Sequence, residues 1–261
     1  MKTANILGLL TDWWAAVKVA TPPTFRAVIA NPRLLLNLPI LSKIFFSHVW
    51  TSFAPLVDEG GREVKKGLIT PYAYGVVLDI GAGHGHTMHY LDRRRITKYV
   101  ALEPNQAMHP EIRKIAISNG YDEEKGELQI LGCGAEDIEY ILKELGGEHR
   151  VDTLVSILTL CSIPSPQTTI TNLTNRCLKP AGQILYYEHV QSPLSDVQWW
   201  QSVWAPMWSL VFDGCRLDRP THVWVQDAAV WNHAVSEVWG KPGEEEENLF
   251  WHRVGRLVKA S

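Results

Sequence analysis

The stretch Val76-Val77-Leu78-Asp79-Ile80-Gly81-Ala82-Gly83-His84-Gly85-His86-Thr87 constrains the fold more than any other. A short apolar run rich in branched residues reads as a buried parallel strand. It ends in alternating glycines, and Thr87 to Leu91 then reads as the start of a helix, expected over about 84–92. Glycine belongs where the backbone turns sharply or lies against a ligand, because a Cβ would clash. A strand, a Gly-rich turn and a helix N-terminus together form a nucleotide-cofactor site at the carboxyl edge of a parallel sheet.

The spacing narrows the cofactor. A dinucleotide fingerprint would place its third glycine at His86, so a nicotinamide oxidoreductase is the weaker reading. The pattern present is Asp79-x-Gly81-x-Gly83-x-Gly85, which resembles motif I of the class I S-adenosylmethionine (SAM)-dependent methyltransferases. A second acid, Glu103, closes the next expected strand (99–103), where a carboxylate accepts from both ribose hydroxyls. SAM carries no pyrophosphate, so the helix N-terminus would face its carboxylate instead. His84 stands at that point and is expected to bind rather than catalyse.

At 261 residues, with 46% hydrophobic and 20% charged side chains, the chain has the makings of one large globular domain or a domain plus a cap. A net charge of −3 argues against nucleic acid as the main partner. Cys133, Cys161, Cys177 and Cys215 show no paired spacing and read as reduced thiols inside a cell; Cys161 reads as a small buried apolar residue. No cleavable leader is evident, so a cytoplasmic location is expected. The segment Leu34 to Val57 is apolar, with Lys43 its one formal charge, but Pro39 and Pro55 cut it below the roughly 18 uninterrupted apolar residues of a spanning helix. It reads as cap helices; contact with a membrane surface is the alternative.

Residues 1–60 show helical periodicity in pieces broken at Thr21-Pro22-Pro23 and Asn31-Pro32, and are read as a helical cap or lid; residues 61–261 form the catalytic domain. Alternating strand and helix patterns follow, the signature of a doubly wound sheet. A helix is expected over about 106–118, with strands at 128–131, 151–158 and 183–190, and a helix-ending turn at Leu178-Lys179-Pro180-Ala181-Gly182. Ala234 to Trp239 and Phe250 to Val258 read as a closing hairpin, with Glu244 to Glu247 as its solvated loop. Arg93-Arg94-Arg95 reads as a helix C-terminus. The fold class is therefore α/β, Rossmann-like, with seven strands, mostly parallel and the last antiparallel. Trp200, Trp204 and Trp208 recur at helical spacing after strand five, either as core or as a wall of the acceptor pocket together with Trp50 and Phe53.

Three further pieces are more specific. Leu158-Thr159-Leu160-Cys161-Ser162-Ile163, Tyr187-Glu188-His189-Val190 and Leu210-Val211-Phe212-Asp213-Gly214-Cys215 occur in this order and spacing. Over roughly residues 40–261 the chain resembles the methyltransferase-like seven proteins, membrane-associated alkyl-thiol S-methyltransferases, and their fungal and bacterial relatives. At the N-terminus it departs from the animal members, with a proline-broken, partly charged segment in place of a long apolar anchor. The resemblance implies a class I fold and a SAM site at Asp79, Gly81, Gly83, His84, Gly85, Glu103 and Pro104. It further implies adenine contacts at Ala135, Glu136 and Asp137, unless Asp137 is only a helix cap, and backbone contacts at Leu158 and Thr159. The product is S-adenosylhomocysteine, and the partner a small, largely apolar acceptor, with a thiol favoured.

Methyl transfer from a sulfonium calls for in-line alignment and no metal, so no metal site is expected. A thiol needs little help to ionise, whereas a hydroxyl needs a base. His189 and Asp213 are the candidates for that role, with Glu188, His84 and His86 behind them. Oxygen or nitrogen methylation of a secondary metabolite remains the second reading. A SAM-binding protein that does not transfer methyl, such as a pericyclase, is the third.

Overall fold

A computed structural model describes residues 3–261, with side chains from Gly8 onward. Seven strands form one sheet: β1 (Gly75–Ile80), β2 (Ile96–Leu102), β3 (Leu128–Leu131), β4 (Val151–Ile157), β5 (Leu178–His189), β6 (Glu237–Gly240) and β7 (His252–Val258). Their spatial order is β3-β2-β1-β4-β5-β7-β6. The first five run parallel, while β7 is antiparallel to both β5 and β6. The order reverses between β1 and β4, which opens a crevice outside their carboxyl ends. The expected fold class is the one observed.

The strands are continuous apolar runs because both faces are covered. On one face, Leu78, Val100, Leu154 and Ile184 pack against α5 (Ile138–Leu145), α6 (Pro166–Asn172) and α8 (Thr221–Asp227). On the other, Val77, Tyr99, Val155 and Leu185 pack against α3 (Arg62–Ile69) and α4 (His109–Ser118). A further helix, α7 (Ser195–Val211), lies against the cap.

Several local expectations are corrected. The helix after the glycine turn is a single 3-10 turn, His86–Tyr90, entered from Gly85 in the left-handed region. Three consecutive left-handed glycines at alternate positions use up the chain direction a full helix would need. Arg93 to Arg95 form the turn before β2, where Arg93 donates to the carbonyls of Ile96 and Gly120. Leu178 to Gly182 belong to β5 as an irregular entry with Ala181 at φ 57°, and regular pairing begins at Gln183. Glu244 is no solvated loop residue, since it accepts from the backbone N–H of His252 at 2.8 Å and pairs with its ring.

The cap departs most from expectation. Its first helix, α1 (Thr3–Ala30), runs through Pro22 and Pro23, and α2 (Leu38–Gly60) runs through Pro55. Ala16 and Ala20 are fully buried against Val49 and Val211, so packing outweighs the lost backbone bonds. The carbonyls that lose an amide partner to those prolines belong to Lys18, Val19 and Thr51, exposed residues that water can serve. Continuous α2 is thus long and apolar enough to cross a membrane by length and composition, contrary to the reading that its prolines cut it.

Candidate active site

Two cavities occupy the crevice. The first, about 580 Å³, lies over the carboxyl ends of β1, β2 and β4. Glycine shapes its floor. Gly81 and Gly83 hold φ of +64° and +56°, and a Cβ on Gly81 would come within 2.4 Å of the Thr159 side chain. The Gly81 and Ala82 N–H groups both donate to the Leu102 carbonyl, which ties the turn to β2. Glu103 follows at the end of β2, and its carboxylate accepts from the N–H of Gly83 and of Asn105, each at 2.8 Å. Burial raises its pKa to about 7, against the pull of those two donors.

The walls of this cavity include Gly81, Gly83, Glu103, Pro104, Ala135, Glu136, Asp137, Leu158 and Thr159, all predicted there. Asp137 stands at the start of α5 without a side-chain capping bond, so the cap reading does not describe it. Three predicted cofactor residues do not line the cavity. Asp79 lies beneath the turn, where it accepts from the Tyr99 hydroxyl and borders a small void, and burial raises its pKa to about 6. Gly85 makes the turn into the 3-10 segment, against Met88 and Ile112. His84 does not line the cavity and lies with its ring 6.1 Å from that of His86.

Residues from the cap complete the cavity, and sequence reasoning missed them. Lys43 donates to the Pro104 carbonyl at 3.3 Å, and Phe46 forms part of the wall. The signal was present: Lys43 is the lone charge in an apolar segment. Trp50, expected on the acceptor side, touches both cavities; its ring stacks on Phe46, with centroids 5.8 Å apart.

The second cavity, about 340 Å³, adjoins the first, and Phe46, Trp50, Leu158 and Ser162 line both. Its walls are aromatic: Phe53, Trp208, Phe212 and Phe250, with Trp208 stacked on Phe212 at 3.9 Å. Trp200 and Trp204, predicted in this pocket, do not line it. Only the last turn of α7 reaches the cavity, so those two fill the cluster beneath it. Asp12, Tyr187, His189, Cys215, Lys241, Asn248 and His252 add polar groups.

The two proposed bases separate. His189 lies at the second cavity, 4% exposed, with Nε2 3.2 Å from Cys215 Sγ. Asp213 lines the first cavity instead; burial raises its pKa and Lys43 opposes that. Glu188 is no base. Its buried carboxylate accepts from Ser156 Oγ (2.7 Å) and the N–H groups of Thr159 (3.0 Å) and Leu160 (3.2 Å), which shapes the loop after β4. That loop begins at Leu158, held at φ 54° by its N–H bond to the Tyr187 carbonyl.

A model of the methyltransferase domain matches residues 56–238. The chain belongs to the class I SAM-dependent methyltransferases. It is 39% identical to the human thiol S-methyltransferase TMT1A over 189 residues, 69% of this chain and 72% of that protein. It is 26% identical to human thiol S-methyltransferase TMT1B over 208 residues, 72% of this chain and 80% of that one. Among solved structures, an O-methyltransferase family protein from Burkholderia thailandensis superposes with a TM-score of 0.57 at 13% identity, covering 85% of this chain and 60% of that one. That likeness is one of fold.

SAM is the cofactor of this methyltransferase, and the first cavity fits it on two observations. A Cβ on Gly83 would lie 2.8 Å from Trp50 Nε1, so the turn leaves a cradle where a side chain would intrude. That indole N–H is buried and has no partner within the protein, an orphan donor at the cavity wall.

Proposed function

We propose that this methyltransferase transfers the methyl group of SAM to the sulfur of a small, largely apolar thiol. The observation that carries the reading is the junction of the two cavities at Phe46, Trp50, Leu158 and Ser162, one polar and carboxylate-bearing, the other aromatic. SAM supplies an activated methyl on a sulfonium. Glu103 accepts from its ribose hydroxyls, Ala135, Glu136 and Asp137 surround its adenine, and the Trp50 N–H with the Gly81–Gly83 turn takes its amino-acid end. The aromatic walls bury the acceptor's body and exclude water, which confines the reaction to two aligned groups.

The choice of sulfur rests on what the acceptor cavity presents. Asp213 stands on the cofactor side, while at the acceptor end His189 has its Nε2 engaged with Cys215 and His252 pairs with Glu244, which leaves Asp12 as that cavity's carboxylate. A hydroxyl acceptor needs a strong general base, whereas a thiol is already partly ionised near neutral pH and needs only modest help. The resemblance to thiol S-methyltransferases points the same way. The test is label transfer from methyl-labelled SAM to apolar thiols, phenols, carboxylic acids and amines. Transfer to thiols alone is expected; transfer only to oxygen or nitrogen overturns the choice of sulfur, and bound SAM with no transfer favours a non-methylating role.

The cap also supports residence at a membrane surface rather than across it. Phe25, Ile29, Leu35, Leu36, Leu38 and Ile40 are exposed together near exposed Arg26 and Arg33. Phe46, Trp50 and Phe53 on α2 are committed to cavity walls, which a spanning helix would pull apart.

A further inference from the structure

Each of the three sequence pieces that carry the resemblance delivers one soft side chain to a single buried point. Cys161 comes from the loop after β4, His189 from the end of β5 and Cys215 from the loop after α7. Their ligand atoms all lie within 4.8 Å of one another, and the residues are 1%, 4% and 9% exposed. Tetrahedral zinc, with Zn–S near 2.3 Å and Zn–N near 2.0 Å, sets its ligand atoms about 3.5–3.8 Å apart, so modest side-chain adjustment closes such a site.

As they stand, these groups satisfy one another poorly. His189 Nε2 meets the Cys215 sulfur at 3.2 Å and interacts with the Cys161 thiol, and its Nδ1 has no partner. Cys161 Sγ has the Leu158 carbonyl at 3.7 Å and the Ser162 hydroxyl at 3.5 Å. Thiols are weak hydrogen-bonding groups, and a buried imidazole facing them is left short of partners. A divalent cation bound by two thiolates and a neutral imidazole would engage both sulfurs and Nε2 and leave no net charge buried.

We propose that Cys161, His189 and Cys215 hold a zinc ion whose fourth position opens into the acceptor cavity, which His189 and Cys215 line. Three protein ligands with one open position is the arrangement of a catalytic zinc, and the sulfur-rich set selects a soft metal over magnesium or calcium. This rests on the thiol reading above and gives His189 a ligand's role rather than a base's. The acceptor thiol takes the fourth position and gives its proton to water. Its sulfur lone pair then forms the bond to the methyl carbon, and the electron pair of the broken carbon–sulfur bond stays with the sulfur of S-adenosylhomocysteine. The neutral thioether is a weak ligand and leaves.

The test uses the untagged full-length chain, purified under reducing conditions. Elemental analysis is expected to find zinc at about one per chain, and replacement by cobalt(II) to give thiolate-to-cobalt absorption. In Cys161→Ser/Cys215→Ser that absorption disappears and zinc affinity falls by at least about tenfold, while SAM binding by calorimetry persists and shows the variant folded. A parent chain free of zinc and unable to take up cobalt with that absorption overturns the proposal. So does a Cys161–Cys215 disulfide in the fresh protein, or zinc that survives in the double variant, which would place it elsewhere, as at His84, His86 and His89. Should the variant not fold, the parent's cobalt spectrum decides alone. Zinc without thiol methylation leaves the metal site standing and removes the thiol reading; thiol methylation by zinc-free enzyme does the reverse.

Discussion

Glu103 shows how one buried side chain couples cofactor binding to pH. Burial raises its pKa from 4.5 to about 7, so the folded chain holds that proton more tightly than the unfolded one. The stability this contributes is complete below about 4.5 and is lost as the pH rises through about 7. Ribose hydroxyls donate to the ionised form, so SAM binding should weaken about tenfold from pH 8 to pH 6. Near pH 6.5, binding should release a proton to the buffer, visible as a dependence of calorimetric heat on buffer ionisation enthalpy. Glu103→Gln should flatten both profiles; a profile that stays steep in this variant would assign the titration to Asp79 or Asp213. Glu103 was readable from its spacing behind the glycines. Asp79 was readable as an acid in motif I, but its contact with Tyr99 beneath the turn was not, because strand spacing says nothing about which side of a turn a carboxylate faces.

At the scale of elements, α2 and α3 are pinned to the glycine turn by a buried ion pair. Lys65, 4% exposed, pairs with Asp58, which also accepts from the Tyr90 hydroxyl at 2.9 Å. Burial lowers the Lys65 pKa, and Asp58 opposes that. Removing the carboxylate strands a cation, so Asp58→Ala should cost about 3–5 kcal/mol in denaturant unfolding. Asp58→Leu/Lys65→Met should recover most of that loss, since an apolar pair of similar volume needs no solvation. Recovery is the informative outcome: equal losses in the single and double variants would mean that the pair is no isolated unit. The pairing lies across the chain from cap to 3-10 turn, and the unbroken course of α1 and α2 through three prolines likewise depends on neighbours. Propensity predicted breaks at those prolines; burial of Ala16, Ala20 and Val49 overrode it.

Over the whole molecule, the cap does two jobs on opposite faces. Inward, it lends Lys43, Phe46, Trp50 and Phe53 to the cavities; outward, it exposes an apolar surface that includes Leu36 at 89% exposure. Charge on that outer face should disrupt membrane contact without touching the site. Leu35→Glu/Leu36→Glu should lower binding to anionic phosphatidylserine vesicles in a flotation assay by on the order of tenfold. Methyl transfer to a water-soluble thiol should be unchanged. Parent protein that fails to float with vesicles at low salt would remove the membrane reading.

Local pattern determined the sheet, the cofactor turn and most of the SAM cavity, because parallel strands and glycine turns are written in neighbouring residues. Tertiary structure alone decided where the side chains of distant segments meet. It placed Asp213 at the first cavity, withdrew Trp200 and Trp204 from the second, and gathered Cys161, His189 and Cys215 at one point. Such meetings depend on how helices and loops cross above the sheet, and no periodicity within a segment records that crossing.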